Sequence, residues 1–449
     1  MAVVSVSLHA LRDIDLYWHL LAGQALAEGT SPRELGAGWS YAPVDAQWTS
    51  TQWLSELLLH AVHRVAGWTG LAALRVITAA VAIAILARTT LRGRPPILAG
   101  FPYVVAVFAI AVASQERPQQ ATLVGAALLG GVLVTGVVRS QLPRWYVVLP
   151  VTILWANLHG GCILLPATLG LIALGRWVDL GPGDRLGWRA AGLTGVTLLC
   201  AAITPAGLAG LTAPMRFQAA TGLVQEWQRT TPVDFFGLLT ILMLAFVAVG
   251  WVRSMHVPYS EFLAFFACLI LAWSAWRNIA PAMAMAAPLV AHRLSLAFPN
   301  ARRAEPRWSV PIGIALASVL SLLSVIGLMN RDHLPVQSQP IGLARQIGQL
   351  PPGQRVLNDY NTSGVVLYFG GPDVQVGIDG RADRYGADYI EDYVGLRALE
   401  GDWEDLLVSL DPTSALFEED TPIVHVLEAE RGWTVIGREE GWVLLVPEQ

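Results

Sequence analysis

The chain has 449 residues, of which 54% are hydrophobic and 14% charged, with a mean hydropathy of +0.49. Soluble domains carry roughly 25% charged residues, so this deficit marks a chain dissolved largely in lipid. The net charge of −5 gives no basic field for nucleic acid, and all 29 basic residues are arginine.

The opening segment MAVVSVSLHAL is apolar but about half the length of a span, and no cleavable signal peptide is evident. It is read as a first helix cut short by a misassigned start, in preference to an interfacial segment. Apolar runs follow at 70–88, 97–114, 121–138, 145–157, 161–176, 190–210, 235–252, 260–276, 279–297 and 308–329. Most approach the roughly 20 residues a spanning helix needs, which predicts about ten or eleven transmembrane helices. The fold class is thus a polytopic α-helical membrane protein, residues 1–330, followed by a soluble α/β domain, residues 331–449.

Orientation follows from arginine. Arg88, Arg92 and Arg94, then Arg139 and Arg144, then Arg176, Arg185 and Arg189, then Arg253, then Arg293, Arg302, Arg303 and Arg307 fall in every second loop. By the positive-inside rule these loops face the cytoplasm. A large first loop, 12–69, and the C-terminal domain then face outward. Trp68, Trp145, Trp177, Trp251 and Trp276 sit near span ends and read as interfacial anchors. Cys162, Cys200 and Cys268 lie in apolar runs and read as small buried side chains; the tail has no cysteine for a disulfide or a zinc site.

The outer segments carry the polar chemistry. Acids, arginine, histidine and amides at membrane depth are costly unless they line a wet cavity, so they mark a candidate site. Asp13 and Asp15 form an Asp-x-Asp pair, and His19 shares a helix face with Asp15. The plainer reading is a solvated helix start favoured by the helix dipole. Glu56, His60 and His63 share another face, which suits a metal or, preferred here, an interfacial helix whose apolar side is Trp53, Leu54, Leu57, Leu58 and Ala61.

Glu116, Arg117 and Gln119 flank Pro118 in a tight turn, either as mutual neutralisation or as substrate ligands. Asn157 and His159 precede Gly160 and Gly161, where backbone can approach a ligand and imidazole can donate to phosphate; a compact capped turn explains them equally. Arg229 and Arg277 are outer arginines able to grip phosphate bidentately or to snorkel to lipid headgroups.

In the tail, strands are predicted at 355–359, 374–379 and SALFE, with two closing strands (WTVIGREE and GWVLLVP). Helices are predicted at SGVVLYFG, near 387–397 and 402–410, and at TPIVHVLEAE. Asp379, Arg381 and Asp383 follow a strand end, a position that suits a sugar or metal site or a structural ion-pair knot.

The run DIDLYWH (Asp13 to His19), with Trp48 and WLSE to Glu56, resembles a group of bacterial multi-spanning proteins. So do the segments RPQ at Arg117, WANLHG at Trp155 and IDGRAD ending at Asp383. Beyond that group it resembles the wider GT-C superfamily of polyprenyl-phosphate-sugar glycosyltransferases, over nearly the whole chain. The resemblance implies a multi-helix membrane fold, an acidic motif in the first outer loop filled by Asp13 or Asp15, and a soluble C-terminal domain on the same side. The short first span departs from that pattern.

The expected activity is sugar transfer from a polyprenyl phosphate to an envelope glycan, lipid or protein acceptor at the outer face of the bacterial inner membrane. Asp13 or Asp15 would be general base or hold a divalent metal, Mg or Mn. Arg117, His159, Arg229 or Arg277 would neutralise the leaving lipid phosphate. The other classes weighed are a lipid or glycan transporter or flippase, and a non-catalytic envelope assembly protein. A transporter needs polar groups near the midplane of its spans, whereas Arg75 and Glu261 are the charged exceptions here, near span ends.

Overall fold

The structure, a computed structural model, describes residues 11, 13–44, 48–211, 227–254, 257–304 and 339–448. The apolar run 308–329, Arg307 and the opening ten residues lie outside the described residues. The chain forms two compact bodies. One is helical and takes the described residues from 68 to 304; the other joins those of 11–67 to 339–448. The sequence division at residue 330 placed the first loop with the membrane helices, whereas here it shares a body with the tail.

In chain order the first ten helices are α1 (Leu16–Ala27), α2 (Trp53–Leu91), α3 (Pro96–Ala113), α4 (Gln120–Val137), α5 (Trp145–Leu158), α6 (Leu164–Leu180), α7 (Arg185–Ala201), α8 (Phe235–Ser254), α9 (Tyr259–Ser274) and α10 (Ile279–Ala297). Helical dihedrals break within α2 at Gly67, whose φ of 58° and ψ of −155° favour glycine. Among the described residues, six helical stretches are long and apolar enough to cross a bilayer, and α5 and α9 are shorter apolar helices. The chain is therefore a multi-pass membrane protein. The run 190–210 stops being helical at Ala201, because Pro205 lacks a donor and Gly207 turns with φ at 58°.

The helical body packs around α10, which is rich in alanine and largely buried. Small residues let backbones approach: a side-chain carbon at Gly130 of α4 would lie 2.7 Å from the Ala284 carbonyl oxygen. Two ion pairs are buried in this body, Arg75 with Glu116 at 2.6 Å and Arg293 with Glu261.

In the second body, α11 (Ile341–Ile347) precedes β1 (Arg355–Asn358), α12 (Ser363–Gly370), β2 (Gln375–Val376), α13 (Ala382–Ala398), α14 (Trp403–Leu410), β3 (Ser414–Glu418), α15 (Pro422–Ala429), β4 (Trp433–Glu439) and β5 (Trp442–Pro447). The sheet order is β2-β1-β3-β5-β4. β1 is parallel to β2 and β3, while β5 is antiparallel to β3 and β4. Its core includes Leu357, Ile390, Tyr393, Phe417 and Leu445, joined by Ala42 of the first loop.

The strand predicted at 374–379 is paired only over Gln375–Val376. Beyond it Gly377 N still donates to Val356 O at 3.0 Å, and the side chain of Asn358 adds to the ladder: its Oδ1 accepts from Gly377 N at 3.0 Å and its Nδ2 donates to Ile378 O at 3.0 Å. The outer edge of β2 is covered by the first loop, where Ser40 makes a parallel bridge to Val376 and Val376 N donates to Trp39 O at 2.9 Å. An open edge would otherwise be an aggregation site.

Candidate functional site

The candidate residues fall into two groups, one in each body. Asp13, Asp15, His19, Glu56, Asp379, Arg381 and Asp383 lie in the body that carries the sheet; Glu116, Arg117, Gln119, Asn157, His159, Arg229 and Arg277 lie in the helical body.

In the first group the chain enters α1 through a turn made by Asp13, whose Oδ1 accepts from Asp15 N at 3.0 Å. This is the local hydrogen bonding for which aspartate is favoured before a helix. Asp13 is 1% exposed; Asp15, at the N-cap, is half-buried and its own side chain makes no cap bond. The carboxylate of Asp15 is thus the more accessible of the two.

His19 and Gly23 follow Asp15 on the same face of α1. A side-chain carbon at Gly23 would fall 2.2 Å from the Glu56 carbonyl oxygen, so glycine is what lets α1 meet the start of α2. There His19 Nδ1 lies 3.6 Å from Glu56 Oε1, and Glu56 Oε2 accepts from Ser50 Oγ at 2.8 Å. Glu56 is 0% exposed and Leu58 44% exposed, so the face of Glu56 is the packed one in this helix. The Trp18 ring lies against His19, centroids 3.8 Å apart.

The tail's IDGRAD segment lies against this motif. Arg381 donates through Nε to Asp379 Oδ1 at 2.9 Å and through NH2 to Asp379 Oδ2 at 2.6 Å, while NH1 donates to Gly36 O at 3.0 Å. Its guanidinium also lies over Trp39 and Trp48, 5.2 and 5.4 Å from their ring centres. Burial would raise the Asp379 pKa, but the Arg381 charge and its hydrogen bonds hold that carboxyl below its usual range. These interactions make the pair a knot fastening tail to loop. Asp383 accepts from Trp48 Nε1 at 2.8 Å.

In the helical body, α5 ends where His159 takes extended backbone. His159 Nδ1 accepts from Gly161 N at 3.0 Å and lies 2.8 Å from Thr122 Oγ1, which in turn accepts from Trp155 Nε1 at 3.2 Å. With Nδ1 accepting from the backbone, Nε2 carries the proton of the neutral ring, the tautomer that can donate to an oxyanion. Asn157 Nδ2 donates to Ile153 O and Ile203 O, a tying role. Gln119 Nε2 donates to Arg277 O at 3.1 Å, and the Arg277 guanidinium lies 4.5 Å from the Trp227 ring centre. Arg117 is half-buried and Arg229 exposed.

Among the described residues no three His, Cys, Asp or Glu converge as a metal site. Thr122 and Gly380 were missed from sequence. Thr122 reads there as an ordinary helix residue, and only the glycine between Asp379 and Arg381 hinted at a close approach.

No family model matches the chain, and no curated protein matches it by sequence. By structure it is similar to ArnT from Cupriavidus metallidurans in the apo state, at 15% identity and a TM-score of 0.53, over 99% of this chain and 95% of that one. The likeness to the same protein bound to undecaprenyl phosphate is at 13% identity and 0.51, over 99% and 95%. That to the Archaeoglobus fulgidus oligosaccharyltransferase in the apo form is at 13% identity and 0.50, over 93% of this chain and 68% of that one. At these identities the likeness is one of fold; the chain is a multi-pass membrane protein with a small C-terminal sheet domain.

Proposed function

We propose that this protein is a membrane glycosyltransferase that moves a sugar from a polyprenyl phosphate to an envelope glycan, lipid or protein acceptor. The observation that carries this reading is a GT-C-like fold with a half-buried aspartate, Asp15, at the N-cap position of the helix that follows the acidic motif. The ArnT structure bound to undecaprenyl phosphate supports the class of donor. The arginine pattern supports placing the acidic motif and the tail on the outer face of the inner membrane.

In this mechanism Asp15 is the general base. An acceptor hydroxyl gives its proton to the Asp15 carboxylate as its oxygen bonds the anomeric carbon. The bond from that carbon to the phosphate oxygen breaks, and the electron pair leaves with the polyprenyl phosphate. Asp13 holds the turn that presents Asp15, and the His19–Glu56–Ser50 chain fixes the face of α1 behind it. In the alternative role of this pair, in place of base chemistry at Asp15, Asp13 and Asp15 would hold a divalent cation, Mg or Mn, that supplies charge neutralisation for the phosphate. Within the helical body, His159 through Nε2 and Arg117, Arg229 or Arg277 are the candidates that the sequence offers for a phosphate oxygen.

The test is turnover in nanodiscs with radiolabelled polyprenyl-phosphate sugars and envelope glycan acceptors. Asp15→Asn is expected to lower kcat by about 10²–10⁴-fold, the usual worth of a general base. Full activity in that variant would remove Asp15 from the mechanism, and no transfer by the wild type across a broad panel would sink the assignment.

A further inference from the structure

We propose that the tail's Asp379–Asp383 loop positions the catalytic carboxylate of Asp15, with Gly380 as the residue through which it acts. This rests on the glycosyltransferase reading for its activity consequence, but the contact itself stands on geometry. A side-chain carbon at Gly380 would lie 2.8 Å from Asp15 Oδ1 and 2.6 Å from Trp18 Nε1. Real side-chain carbons do not come that close to such atoms, so backbone occupies the space beside the carboxylate. Trp18 is 5% exposed, and its indole nitrogen is buried beneath the same glycine.

The neighbours of Gly380 are anchored. Arg381, after it, is locked to Asp379, before it, and to the carbonyl of Gly36. Further on, Asp383 accepts from the indole N–H of Trp48, and Trp48 meets Trp18 edge-on with centroids 6.3 Å apart. A general base is productive only with its carboxylate held in one orientation. Backbone fixed against Asp15 restricts the rotamers that carboxylate can take. The soluble domain is thereby a component of the catalytic centre, and its loop takes no part in the chemistry itself.

Two measurements on the full-length protein in nanodiscs decide this. The first is independent of activity. Asp15→Cys combined with Gly380→Cys is oxidised with copper phenanthroline and digested, and the linked peptide is sought by mass spectrometry; the three native cysteines are buried. A disulfide is expected, and none with Asp15→Cys paired to Gly437→Cys, since Gly437 packs on Gln346 and Leu343. No link between 15 and 380 overturns the proposal whatever the activity.

The second compares Gly380→Ala with Gly437→Ala, which meets comparable crowding away from the acid. Gly380→Ala is expected to lower kcat by about 10²-fold at unchanged donor KM, the scale of a small misplacement of a reacting group. Gly437→Ala is expected to leave both unchanged. A Gly380→Ala enzyme with wild-type kcat overturns the positioning role even if the cross-link forms. A wild type without transfer would instead strike the glycosyltransferase reading, and the cross-link would then decide the loop's packing alone.

Discussion

The indole nitrogen of Trp48 donates to Oδ1 of Asp383 at 2.8 Å, joining residues 335 positions apart. With Arg381 it fastens the first loop to the tail. The bond is charge-assisted, so its loss is expected to be worth about 1.5–3 kcal/mol. Trp48→Phe and Asp383→Asn should each lower the protection of 379–383 amides from hydrogen exchange, and the double variant should be little worse than either. Strict additivity would show that the two do not share a bond.

Arg381→Met leaves the Asp379 carboxylate buried without its cation. The expected cost is about 3–5 kcal/mol, read as earlier proteolysis of the tail. The double variant Asp379→Leu/Arg381→Met should recover part of that loss. Recovery should be incomplete, because the Gly36 carbonyl loses a donor as well.

Acid should release the same knot. The folded pKa of Asp379 is depressed, so its contribution is present above the unfolded value of about 3.9 and is lost as pH falls through the folded value. Limited proteolysis of 379–383 should therefore sharpen as the medium is taken below about pH 4. In Asp379→Asn that dependence should flatten; an unchanged acid limb would assign it to another carboxylate.

Thr122→Val removes the hydroxyl between Trp155 and His159. If His159 meets the phosphate, donor KM should rise several-fold with a smaller effect on kcat, because the ring loses its orientation and not its proton. A pure fall in kcat would place His159 nearer the reacting bond.

Much of the fold was legible because burial in lipid imposes long apolar runs, and nine of the ten runs fall on α2 to α10. The exception lies outside the described residues. Tail elements were legible from alternation, except past Val376. There a buried amide side chain, Asn358, takes the Ile378 carbonyl that a longer strand would have paired, and no local pattern announces that. The site was legible as residue types but not as partners. Glu116 beside Arg117 suggested mutual neutralisation, while the pair that forms at 2.6 Å reaches Arg75 in α2. Likewise Asp379 and Arg381 read equally as ligands or as a knot, until the carbonyl of Gly36 and the rings of Trp39 and Trp48 supplied the partners that pairing needs. Such partners are hundreds of positions away, and periodicity carries no information at that range.

The bridge from Ser40 to Val376 closes a sheet edge with two segments more than three hundred positions apart. Contacts of such sequence separation form late, since the chain between them must be ordered before they return any stabilisation. The loop that carries Gly380 follows directly on Val376, so its approach to Asp15 shares that long closure. A chain cut short of residue 376 loses both the strand that Ser40 bridges and the backbone beside Asp15.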